Sequence, residues 1–157
     1  MSDDLIEKFD PRILRRAAAD ETEEELFWTF ERYQGAFETH YSGFSDVLLV
    51  GHYAYQETDS PDFLSVGKNS LMRRKICPEF GKDPTKARRS MGKPFRDFVK
   101  SGHLLAHHTG QPVFEIISTL VVTRHNRVRC DYRRLILPVH TRTGKKLLLT
   151  YCGEFKS

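Results

Sequence analysis

His103, His107 and His108 are the residues whose types and spacing come nearest to chemistry. His103 and His107 stand four positions apart, so a helix through them sets both imidazoles on one side. Two imidazoles at that spacing can hold a transition metal, and His103 and His107 are the candidate haem or metal ligands. No carboxylate or cysteine lies near them in the sequence to complete a metal set. A histidine near a helix C-terminus also complements the helix dipole, which is a sufficient structural reason for its presence.

The other reactive side chains form weaker patterns. Cys77, Cys130 and Cys152 are odd in number and widely spaced, fit no CxxC pattern, and read as reduced thiols of a cytoplasmic protein. Arg73, Arg74, Lys75, Lys82, Lys86, Arg88, Arg89 and Lys93 crowd one stretch. Phosphate contact needs only such charge, and Arg88 and Arg89 are the candidate phosphate contacts. No GxxxxGK[ST] loop occurs. Neither a recognition helix nor stacking aromatics accompany the cluster, so a nucleic-acid partner is the lesser alternative to a solvated surface or a phosphate-bearing ligand. Serine, histidine and acid residues are present without a nucleophile elbow or a paired-carboxylate context, and no enzyme activity is expected.

Charge is uneven along the 157 residues. Residues 1–46 carry 5 Lys/Arg against 12 Asp/Glu, and the remainder 20 against 9. An acidic arm on a basic body packs on its own chain, on a second copy, or leaves the body to bind phosphates. No apolar run is long enough to span a bilayer, and the acidic start lacks the pattern of a secretory signal.

The elements that must position these groups follow from periodicity. Asp10-Pro11 opens a helix with Ile13, Leu14, Ala17 and Ala18 on one side. Asp20 and Glu23 form a capping-box start for a second helix, along which Leu26, Phe27, Phe30, Tyr33 and Phe37 recur at helical spacing with Trp28 beside them. That ridge packs on its own core or in a dimer interface. Residues 46–56 and 62–67 read as two strands joined by a turn-rich segment, and residues 69–76 as a short helix. A last helix runs from Pro94 to about His107, with Phe95, Phe98, Val99, Leu104 and Leu105 as its apolar face and Gly102 weakening it. Residues 113–124, 127–140 and 145–152 alternate with period two and read as three antiparallel strands. The hairpin turns are at His125-Asn126 and at Thr141 to Gly144. In the middle strand the apolar phase shifts after Arg134, from Val128, Cys130 and Tyr132 to Leu135, Leu137 and Val139, which predicts a bulge or sharp twist. The fold class is α+β with one open sheet.

This order, with these residues, resembles a PAS domain, and in particular the stand-alone bacterial PAS proteins of alphaproteobacterial type that carry an N-terminal helical extension. The landmarks are Leu26-Phe27-Trp28 in a leading helix, Asp46 to Val50 as the first core strand, and Phe63 to Gly67 ending in valine-glycine. Gly81 follows the short helix, Gly110-Gln111-Pro112 precedes the meander, and Arg134-Leu135-Ile136-Leu137-Pro138 matches an arginine-leucine-leucine-proline stretch. The similarity covers roughly residues 24–153. Ser65 stands where an arginine is usual, and the loop at residues 82–93 is unusually basic.

The resemblance implies a PAS-like five-stranded antiparallel sheet in the order 2-1-5-4-3, with helices on one face and additional N-terminal helices. Residues 1–23 would be the helical extension and residues 24–157 the PAS-like domain. It implies a non-catalytic signalling module that binds a small ligand or a protein partner, with output through dimer geometry. Inward-facing candidates for a ligand cavity are Phe63, Phe98, Leu105, Phe114, Ile116, Leu120 and Tyr132, for each of which a filled apolar core is the plain alternative. Leu26, Phe27, Phe30 and Tyr33 are the candidate dimer helix. A bound cofactor is left open between none and haem on the His103/His107 helix, and light-sensing flavin chemistry is not expected, because Cys77 stands in a Lys-Ile-Cys-Pro context.

Overall fold

The computed structural model describes residues 5–9, 21–38, 40–53, 61–76, 93–122 and 127–154. In chain order they form β1 (Leu5–Phe9), α1 (Glu21–Tyr33), a 3-10 turn (Ser42–Phe44), β2 (Leu48–His52), β3 (Asp62–Val66), a wide helical turn (Met72–Ile76), α2 (Lys93–Thr109), β4 (Val113–Val122), β5 (Arg127–His140) and β6 (Lys146–Glu154). The helix expected from Asp10, the Asp20 cap, Cys77, Gly81, the basic loop with Arg88 and Arg89, and the turn at His125-Asn126 lie outside the described residues. No helix among the described residues is long and apolar enough to cross a membrane.

The fold is α+β, built on one antiparallel sheet. It has six strands rather than the expected five, in the order β1-β4-β5-β6-β2-β3. The additional strand, β1, comes from the segment expected to be a helical extension. Its five residues alternate: Ile6 and Lys8 stand opposite Ile117 and Glu115, while Phe9 stands opposite Phe114. Ile6 therefore joins one core cluster and Phe9 the other. So short an alternation next to a strong helix start at Pro11 is easily passed over in the sequence.

The expected bulge in the middle strand is absent. β5 pairs with β4 and with β6 in unbroken register. The apolar phase shifts for a different reason: both faces of the sheet are covered there, so Leu135, Ile136 and Leu137 are all buried. Leu135 and Leu137 face one cluster with Leu48, Leu149 and Phe114, and Ile136 faces another with Ala106, Val113 and Leu148. Helices thus lie on both faces, not one. α1 covers the first face with Leu26 and Phe27; α2 and the Met72–Ile76 turn cover the second with Val99, Ala106, Leu71 and Met72. Burying a leucine or phenylalanine of this kind contributes about 1.5–3 kcal/mol, which makes docking rather than propensity the main source of helix stability here.

α1 ends at Tyr33, one turn before the apolar spacing does, because Gln34 and Gly35 take positive φ angles of 50° and 81°. The β2–β3 pair closes at Gly67, whose N–H donates to the Leu48 carbonyl at 2.8 Å. A Cβ there would come within 2.4 Å of the Asp46 carbonyl, so the Val66-Gly67 step needs a residue without a side chain.

Candidate functional site

The polar groups with the most chemistry lie between α2 and the sheet. β4 and β5 place Glu115 and Arg134 directly opposite each other, and both side chains are buried. The Arg134 guanidinium donates from Nε to Glu115 Oε1 at 3.0 Å and forms a second, shorter bond to the same oxygen from Nη2. The same Nη2 donates to the Val99 carbonyl of α2 at 2.8 Å. The second carboxylate oxygen faces Lys8 Nζ of β1 at 3.2 Å, and Lys8 in turn donates to Ser101 Oγ of α2 at 3.3 Å. One buried ion pair therefore joins two central strands, an edge strand and a helix. Burial works against the Arg134 charge, but the facing Glu115, together with Tyr132 and Cys152, offsets it and holds the guanidinium above its ordinary range.

Gly102 explains how a helix rests on this pair. A Cβ at Gly102 would lie 2.2 Å from Glu115 Oε1 and 2.7 Å from Arg134 Nη2. The glycine that weakened the helix in the sequence is the position at which α2 touches the ion pair. The buried stripe of α2 is Val99, Gly102, His103 and Ala106. Of the apolar face expected from hydrophobicity, Val99 is buried, Phe98 and Leu104 are half-buried and Leu105 is exposed, while the Phe95 side chain lies outside the described residues. Two members of that stripe are glycine and histidine, so no hydropathy signal marks it; helical spacing from Val99 to Ala106 is the one hint available.

His103 is the candidate ligand-contacting residue. It is only 4 % exposed. Its Nε2 lies 3.2 Å from Thr150 Oγ1 on β6, and its ring meets Phe63 edge-on with centroids 6.4 Å apart. Nδ1 has no hydrogen-bond partner among the described residues. Burial, reinforced by Arg134, pushes the imidazole well below its ordinary value, so it is neutral. Tyr132 lies on the same face, its phenol pushed up by burial. Cys152 and Cys130 also lie there, with thiols raised by burial to about 12 and about 11. These sulfurs are protonated and inert near neutrality.

The sequence candidates separate. Phe63, and Phe98 on α2 itself, are half-buried against the cluster that holds Tyr132. Phe114, Ile116 and Leu120 belong to the opposite face: Phe114 packs under α1, Ile116 stands opposite Arg133, and Leu120 is exposed. Leu105 is exposed as well. The seven residues therefore do not line one cavity. β4 turns the other parity toward α2, with Val113, Ile117 and Val121 facing the helix. His103 and His107 share a side of α2 but diverge in surroundings, His107 lying against the Tyr53 ring at 4.8 Å. Among the described residues no group of three or more His, Cys, Asp or Glu side chains is placed to hold a metal ion.

In the expected dimer helix, Leu26 and Phe27 are buried against their own sheet and Phe30 is partly so, because α1 is the cover of that face. Tyr33 remains exposed and stacks on His40 with ring centroids 3.5 Å apart. Glu23 lies on the buried side of α1. It forms an ion pair with Arg133 of β5 at 3.0 Å, and the Arg133 guanidinium also lies over the Phe114 ring at 5.0 Å.

Comparison with known proteins gives no matching family, no matching curated protein and no matching solved structure.

Proposed function

We propose that this chain is a non-catalytic sensory module of PAS type. It takes a small ligand between α2 and the sheet and passes the signal to a protein partner through the arrangement of two copies. The strand order supports the fold half of this reading. With β1 set aside, the sheet runs β3-β2-β6-β5-β4. Numbered from β2, that is the order 2-1-5-4-3.

The observation that carries the ligand half is the unpartnered Nδ1 of buried His103. An unmet buried polar atom costs about 1–3 kcal/mol, which a ligand hydrogen bond would recover. Neutral imidazole offers one donor and one acceptor, so with Nε2 engaged on Thr150 the other nitrogen suits a small uncharged polar ligand.

Native mass spectrometry and an absorbance spectrum of the purified full chain test the reading. The expected result is a non-covalent small molecule on the wild-type chain that is lost in His103→Leu. A bare chain mass, or an adduct retained by the folded variant, would overturn it. A Soret band that disappears in the variant would identify the passenger as haem.

A further inference from the structure

β4 and β5 are unequal in length. β4 starts at Val113 opposite Ile136, so residues 137–140 of β5 run on with no β4 partner. The loop after α1 takes up the end of this free edge. His140 N–H donates to the Gly35 carbonyl at 2.8 Å, and Phe37 N–H donates to the His140 carbonyl at 2.9 Å. Pro138, which brings no N–H, suits an unpaired stretch of strand. Between that loop and the C-terminal end of α2 the fold leaves a cleft of about 330 Å³.

The cleft has a definite chemical character. Phe30, Pro138 and Leu148 give it apolar walls, while His107, His108, His140 and Lys146 stand around it. No carboxylate lines it among the described residues. The end of α2 opposes an anion through its last carbonyls, so the cationic groups around the cleft must outweigh it. Of those carbonyls that of Ala106 is bonded, accepting from Gly110 N–H at 3.0 Å, and that of Leu105, one step further in, takes the Thr109 hydroxyl at 2.7 Å.

We propose that this cleft is a binding site for a small organic carboxylate with an apolar tail. The carboxylate takes charge-assisted hydrogen bonds from Lys146 and the imidazoles. The tail lies on Phe30, Pro138 and Leu148. The volume falls in the range of small-molecule sites. The site is distinct from the layer under α2 that holds His103, so it stands or falls apart from the sensory reading.

Octanoate is the probe, followed by the histidine ring resonances of the full chain in NMR. The expected result is saturable movement of the His107, His108 and His140 signals with His103 unmoved. Octanol and inorganic phosphate should each bind about tenfold more weakly, since each lacks one half of the pairing. Lys146→Glu should weaken octanoate about tenfold or more. His108→Gln, an exposed position, serves as a second variant should the first fail to fold, and should weaken binding in the same direction. Absence of saturable shifts at millimolar octanoate would overturn the proposal. So would equal binding of octanol or phosphate, movement of His103 in place of the other three, or unchanged affinity in the folded variants.

Discussion

Arg133 and Arg134 are neighbours on β5, yet they are buried on opposite faces of the sheet, and each fastens a different helix. Arg133 holds Glu23 of α1, and Arg134 holds Glu115 while bonding the Val99 carbonyl of α2. A strand that alternates by two turns adjacent side chains apart, so one dipeptide serves both covers.

Removing one partner of either pair leaves a buried guanidinium uncompensated. Glu23→Gln and Glu115→Gln should each cost about 3–5 kcal/mol in urea unfolding. Hydrogen exchange separates the two: Glu23→Gln should raise exchange in α1 and leave α2 protected, and Glu115→Gln should do the reverse. Replacing the whole pair, as Glu115→Leu with Arg134→Met, should cost less than Glu115→Gln alone, because no charge is then left unpaired.

Gly102→Ala has a sign opposite to intuition. On an exposed helix surface the change would stabilise by about 1 kcal/mol. Here the new methyl group meets the Glu115 carboxylate, so the variant should lose about 1–3 kcal/mol, as an overpacked core does. Thermal melts of Gly102→Ala beside Gly110→Ala, which meets no atom within 4 Å but carries a φ of +66°, would check it. A backbone-strain effect alone should appear only at Gly110.

His103 makes stability depend on pH in one direction. Its folded pKa lies well below the unfolded value of 6.5, so under acid conditions the unfolded chain binds a proton that the folded chain refuses. Stability attributable to this residue is intact above that value and falls as pH drops below it, by at most about 1.4 kcal/mol per pH unit. His103→Gln should flatten that part of the urea-derived stability profile between pH 6.5 and the folded pKa. An unchanged slope would mean the imidazole is not shut away from solvent.

The raised thiols predict a slow chemical signature. In a Cys77→Ser background, Cys130 and Cys152 should react with a disulfide reagent at pH 8 far more slowly in the native state than in urea, since burial holds them near 11 and 12. Native rates equal to the denatured ones would show that the layer under α2 opens freely.

Much of the architecture was legible because strands announce themselves by alternation. The meander, the β2–β3 pair, α1 and α2 were all readable from Val113, Leu147, Leu49, Leu26 or Val99 and their neighbours. What escaped did so for physical reasons. β1 is five residues long and sits on an edge, so its periodicity barely exceeds chance. The two-sided burial of β5 looks like a phase slip in one dimension, because a sequence does not say which faces will be roofed. Glu115, Gly102 and His103 belong to the interior while appearing to be surface or breaker residues: Glu115 is buried against its cross-strand partner Arg134, Gly102 sits on that pair, and His103 meets Thr150.

The contact between Gly102 and the carboxylate also limits how α2 can travel. A screw step of one residue would bring Ser101 or His103 to the spot where only a hydrogen atom fits. The helix therefore has a single seat, and it leaves by lifting away from the strands, not by sliding along them. Lifting admits water to Arg134 and Glu115 in the same event, so displacement of α2 and hydration of its underside are one movement.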